Sequence, residues 1–156
     1  MNFNTQKILD KVGSAKGMDF CNAMVLELSQ ASGADYTFIA KLNVEQYSSK
    51  TISIASKDGL IENVEYSLDY TPCANVAKDT ICCYSDDVVK LFPLDQMLVD
   101  MNIKGYVGAP LKDSNGCVVG LAVALFEKEI DGIDDISSMF QSLSSIIEQE
   151  INPLIH

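Results

Sequence analysis

The sequence predicts an α+β domain built on a mainly antiparallel sheet, and three observations predict it. Apolar residues recur at helical spacing in two stretches, one near each end of the chain. Between them the period drops to two in several short runs. The most regular runs, Gly105 to Leu111 and Cys117 to Phe126, are joined by Asp113-Ser114-Asn115-Gly116, a hairpin turn whose asparagine and glycine tolerate positive φ. Long helices flanking a meander of strands define α+β rather than an alternating βαβ chain.

The elements follow in order. Phe3, Ile8, Leu9 and Val12 give a first short helix that ends near Gly13. From Asp19 to Gln30 the apolar positions Phe20, Cys21, Met24, Val25 and Leu28 form one helix face, with Gly33 as the stop. Tyr36 to Val44 and Thr51 to Ser56 read as strands, the second with Ile52 and Ile54 alternating against Thr51, Ser53 and Ala55. Gly59 breaks the chain before a third strand, Ile61 to Leu68, whose Val64, Tyr66 and Leu68 share a face. Thr71-Pro72 opens a short helix running to about Lys78, threonine capping and proline at the first helical position. Ile81 to Tyr84 is a short strand, and Leu94 to Met101 a helical run within a mixed stretch. The last helix, about Asp134 to Ile151, carries Ile136, Phe140, Leu143 and Ile147 in line with Met139 and Ile146 beside it, and Pro153 is expected to end it. The end helices would cover one sheet face and the excursion from Thr71 to Lys104 the other, as a roof over a small-molecule cavity.

Composition trims the functions open to such a domain. The chain has 156 residues, 22 acidic against 11 basic, all lysines, for a net charge of −11. That surface repels phosphate, so no nucleic-acid partner is expected, nor an acidic membrane surface. Without arginine there are no bidentate clamps. The one histidine is His156, so histidine triads and histidine-ligated metals or haem are disfavoured. No apolar run is long enough to span a bilayer, and the opening MNFNTQKILDKVG has no signal-like stretch, which leads us to expect a cytoplasmic protein. Five irregularly spaced cysteines then read as reduced thiols.

Several local signatures resemble the GAF domain, a small sensory module, and together they span about residues 18–150. They are Gly33-Ala34-Asp35-Tyr36; Leu68-Asp69-Tyr70-Thr71-Pro72-Cys73, similar to the L-x-x-T-P-C element of a bacterial subset; Phe92-Pro93-Leu94-Asp95 followed by Leu98, similar to F-P-x-D-x-x-L; and the closing hairpin around Tyr106 to Leu111 and Val118 to Ala122. The resemblance implies a GAF-like central antiparallel sheet of five or six strands, with residues 18–156 as the sensory domain and 1–17 as a helical extension. It also implies a ligand pocket under residues 71–104, a homodimer through the terminal helices, and an output kinase or cyclase in bacterial signal transduction. Departures from family motifs disfavour cyclic nucleotide, bilin (no cysteine is followed by histidine) and haem, leaving the ligand unidentified.

The residues themselves suggest where a ligand would bind. Tyr106 and Gly108 share a face with Pro110, and Ala122 and Ala124 share one on the opposite strand. Taken as the pocket side, these small residues leave room that Phe38, Tyr84, Phe92 and Tyr106 would frame, while Leu121, Val123 and Leu125 would meet the helices. Cys73, in the first turn of its helix, reads either as a small buried residue packing the helix onto the sheet or as a candidate thiolate for binding or redox sensing, with Cys82 or Cys83 as a resolving partner if these two are not simply structural. Adjacent on a strand, those two face opposite sides. Cys21 and Cys117 read as packing residues. Asp86, Asp87 and Asp95 read as solvated loop carboxylates, Asp95 alternatively as a helix cap. The excess apolar width of the last helix suggests a second subunit. No nucleophile with an adjacent base can be read from spacing, so a binding function is expected, with a thiol enzyme or a structural dimerisation domain as alternatives.

Overall fold

Two sharply different layers cover the sheet in the computed structural model, which describes residues 5–155. The elements are α1 (Thr5–Val12), α2 (Gly17–Ser32), β1 (Tyr36–Asn43), β2 (Ser48–Ser56), β3 (Gly59–Leu60), β4 (Glu65–Ser67), α3 (Pro72–Val76), β5 (Cys82–Tyr84), α4 (Val88–Leu91), α5 (Gln96–Asp100), β6 (Gly105–Lys112), β7 (Val118–Phe126) and α6 (Ile133–Ile155). The strands are antiparallel in the order β3-β2-β1-β7-β6-β5, with β4 pairing the same side of β2 as β3 but at its other end. Phe3 and His156 lie outside the described residues.

The helix layer consists of α1, α2 and α6. Gly33 sits in the left-handed region at φ 77° and its amide donates to the Ser29 carbonyl, which stops α2 where the sequence predicts. Met24, Val25, Leu28, Phe140, Leu143 and Ile147 bury against Ile39, Val107, Ala109, Ala122 and Ala124 of the sheet. Ile8 and Val12 of α1 join the same core. The broad stripe on α6 is taken up within the chain: Met139 is buried beside Phe140, and Ile146 packs partly buried on the same cluster. Its width therefore needs no second subunit. Pro153 does not end α6, which runs on to Ile155. Buried Ile151 and half-buried Ile155 anchor this last stretch, and Asn152 Nδ2 ties it to the Lys112 carbonyl at 3.3 Å and to the Glu148 carbonyl at 2.7 Å.

The predicted third strand is broken into β3 and β4, and its cause lies in β2. Ile39 pairs with Ser53 but Ala40 with Thr51, so Ile52 is an extra, bulged residue. It packs toward the helix layer, as does Ser53, whose hydroxyl donates to Asn22 Oδ1 on α2 at 2.6 Å. Ile54 faces the roof, so the expected Ile52–Ile54 face does not exist. Opposite the bulge, residues 61–64 arch away from the ladder. The Thr51 hydroxyl accepts from the Val64 amide and donates to Asn63 Oδ1, both at 2.8 Å. Val64 is left partly exposed instead of sharing a buried face with Leu68.

The roof is made of short pieces. Thr71 caps α3 by accepting from the Ala74 amide at 3.2 Å, with Pro72 in the first turn, but the helix stops at Val76, short of Lys78. Pro93 separates α4 from α5, and Asp95 accepts from the Leu98 amide at 3.2 Å to start α5, so it is a buried cap rather than a solvated carboxylate. Asp87 pairs with Lys90, and Asp86 accepts from the Asp87 amide.

A buried thiol and two phenols beneath the roof

The roof-side face of the sheet carries Phe38, Ala40, Leu121, Val123, Leu125 and Tyr106. This reverses one expectation: Leu121, Val123 and Leu125 face the roof, and Ala122 and Ala124 face the helices. The cross-strand partners fix it, Val123 lying between Phe38 and Gly108, and Ala122 between Ile39 and Ala109. Long helices bring bulky Phe, Leu and Met side chains to the sheet, and β7 meets them with Ala122 and Ala124. Short roof helices bring little bulk, so the sheet supplies large residues there.

The space expected above Gly108 is filled. A Cβ on Gly108 would lie 2.7 Å from Tyr106 Oη and 2.9 Å from Val76 Cγ2, so the missing side chain is what lets the Tyr106 ring lie along the strand under α3. Phe38, Tyr84, Phe92 and Tyr106 do gather on this side, in two groups. Tyr84 contacts Phe92 and Tyr106 at ring separations of 5.6 and 6.1 Å, and Phe38 meets Tyr66 edge-on at 6.0 Å.

Cys73 is the meeting point. Its Sγ lies 2.9 Å from Tyr106 Oη, and Tyr66 Oη donates to it at 3.4 Å. Both hydroxyls favour a thiolate, but burial outweighs them and pushes the thiol up to about 11, so the capped helix terminus does not produce a thiolate and Cys73 packs as a buried residue. Burial raises Tyr66 and Tyr106 in the same way, and the neighbouring thiol adds to it. Burial also raises Asp95, against the pull of the Leu98 and Met97 amides. Its charge in turn disfavours ionisation of Tyr66 and Cys73. Cys82 is buried on the roof side and Cys83 exposed, the opposed pair that adjacent strand positions require. Cys21 packs in the helix layer, whereas Cys117 is exposed at the hairpin rather than packed.

Tyr66 is the residue that sequence reasoning placed on a strand face without assigning it to the site. Its signal is its position two residues before Leu68 in the predicted third strand, Leu68 being buried just beyond the end of β4. Ser49, directly across from Tyr66, is buried on this face and gave no signal.

A six-position antiparallel meander with long helices on one face and a roof of short ones is the GAF fold. No family model matches the chain, and no curated protein matches it. Solved structures do. The phycocyanobilin-bound GAF domain of a cyanobacterial phytochrome superposes with a TM-score of 0.71 at 17% identity, over 100% of both chains. The GAF domain of an Acinetobacter phosphoenolpyruvate-protein phosphotransferase gives 0.72 at 14%, covering 94% of this chain and 89% of that one. The chromophore-binding domain of Stigmatella aurantiaca phytochrome P1 gives 0.71 at 12%, covering 93% of this chain, which spans 57% of that one. At these identities the likeness establishes the fold. It also corrects the ligand argument: two of these three similar structures are bilin or chromophore domains, so the missing cysteine–histidine pair does not remove bilin from consideration.

Proposed function

We propose that the chain is a sensory module that binds a small molecule between α3 and the sheet and reports it by a shift of the roof. The observation that carries this reading is the Tyr66–Cys73–Tyr106 cluster: three polar groups that meet in a mainly apolar interior, under a helix of only five residues. Such a constellation suits recognition, where a few fixed polar atoms orient a ligand that apolar walls hold. A thiol and two phenols can donate to ring nitrogens or carbonyls, a donor set that fits a tetrapyrrole as well as a purine or an organic acid. Entry requires the Tyr106 ring to leave Gly108, which couples occupancy to the position of α3.

Turnover is not part of the proposal, because Cys73 is held protonated and the cluster contains no basic group. The proposal extends to a cytoplasmic bacterial signalling role with a kinase or cyclase as output in trans; its support is the likeness in fold to the GAF and chromophore-binding domains of phytochromes. Among the described residues no helix is long and apolar enough to cross a membrane. A homodimer through the terminal helices is not part of the proposal: the apolar stripe of α6 is covered within the chain, which among the described residues leaves only Met18 and Leu154 as exposed large apolar side chains near the helix ends.

The test is a thermal-shift screen of purines, amino acids, organic acids and a bilin, with mass spectrometry of gently extracted ligand. A compound that stabilises by binding at the Cys73 cluster should lose its effect in Tyr106→Phe and Cys73→Ala. If no compound stabilises the wild type and none is extracted, the reading fails.

A further inference from the structure

We propose a second small-molecule site, on the outer side of α3, that takes a monocarboxylate with a short apolar body. Helix α3 has two sides. Cys73 and Val76 point into the roof-side core, while Ala74 and Ala77 face a half-open cleft of about 170 Å³. Its other walls are Leu42, Val44 and Tyr47 from the tip of the β1–β2 hairpin, with Leu68 and Val118 completing it. The volume lies below the ~300–1,000 Å³ of drug-sized sites, so the occupant is small.

Two features say what it would be. The lining is apolar except for Lys78 and the Tyr47 hydroxyl. Lys78 is exposed, and no carboxylate of the described residues lies in ion-pair range of it; its neighbour Asp79 is held by Lys112 at 2.8 Å. One cation at the rim of an apolar cleft selects an anionic head on an apolar body. The walls are also set apart from their surroundings. Tyr47 is held at φ 50° in the hairpin turn, its amide donating to the Val44 carbonyl and its carbonyl accepting from the Leu68 amide at 2.9 Å. This turn holds Val44 and Tyr47, 81% and 42% exposed, at the cleft, and no segment of the described residues covers them. A polyanion is disfavoured, since one lysine must offset its charge against a surface of net −11.

This site is separate from the cluster at Cys73, and its test separates the two. Benzoate and hexanoate, each paired with its neutral amide, are titrated into the full chain and followed by ligand-observed NMR. Saturable binding of the acids above that of the amides is expected. Lys78→Gln should weaken the acids by about fivefold, the worth of a partly exposed ion pair, and leave the amides unchanged. Ala77→Leu, at a helix-compatible φ of −62°, should abolish binding of all four. Tyr106→Phe, beneath the roof, should leave the acids binding as in the wild type. The proposal is overturned if no acid binds saturably, if acids and amides bind alike in both wild type and Lys78→Gln, or if binding survives Ala77→Leu in a variant whose urea midpoint shows it folded. It is also overturned if sedimentation shows a dimer that Ala77→Leu disrupts, since the cleft is then a contact between copies.

Discussion

Cys73 shows how two local effects can oppose each other at one atom. A capped helix terminus and two phenol hydroxyls favour its thiolate; burial opposes all three and prevails. Alkylation of Cys73 by iodoacetamide at pH 8 should therefore be far slower than that of a free thiol and should reach the free-thiol rate only in urea, as peptide mapping would show. Rapid labelling in the folded protein would mean that α3 opens readily. Gly108 makes a second prediction. Even one methyl group would press on the Tyr106 ring and Val76, neither of which has free space, so Gly108→Ala should cost about 1–3 kcal/mol in urea unfolding. In a Tyr106→Leu background that penalty should shrink, because the clashing ring is gone.

The elements that carry their own punctuation could be read from sequence. Gly33, Thr71-Pro72 and Asp113 to Gly116 each make a local hydrogen bond or backbone turn where their chemistry demands it, and the structure places all three as expected. What could not be read is set by neighbours distant in sequence. The facing of β7 depends on which layer supplies bulk, and the break of the third strand depends on a bulge one strand away. The site was half visible for the same reason. Phe38, Cys73, Tyr84, Phe92 and Tyr106 announce themselves as aromatics or a capped cysteine, but Tyr66 joins them only through the pairing of β4 with β2. The Thr71 cap is testable at this level. Thr71→Ala should cost about 1 kcal/mol in stability and Thr71→Ser much less, since serine keeps the accepting oxygen.

For the molecule as a whole, the buried thiols and phenols set the alkaline limit. Cys73 and Cys21 rise from 9.0 to about 11 on folding, and Tyr66 and Tyr106 shift the same way. Between pH 9 and 11 the unfolded chain loses thiol protons that the folded chain keeps. The unfolded state then binds fewer protons, and stability falls as pH rises. The contribution is fully present below pH 9. Cys73 alone accounts for about 2–3 kcal/mol of the loss by pH 11. Urea midpoints between pH 7 and 10.5 should decline from about pH 9, and less steeply in Cys73→Ala. With the apolar stripe of α6 covered by its own chain, sedimentation at micromolar concentration should return the mass of one chain.

The bulge in β2 also has a meaning for how such a chain can vary in length. Ile52 and Ser53 both turn toward the helices, so removing Ile52 leaves Thr51 and Ser53 on alternate faces and every remaining residue of the strand where it now points. A one-residue deletion at a regular strand position turns part of the strand inside out. Here it would straighten the ladder and leave the inward and outward sides of the protein unchanged, making this a seam where a descendant sequence could shorten by one codon and still fold.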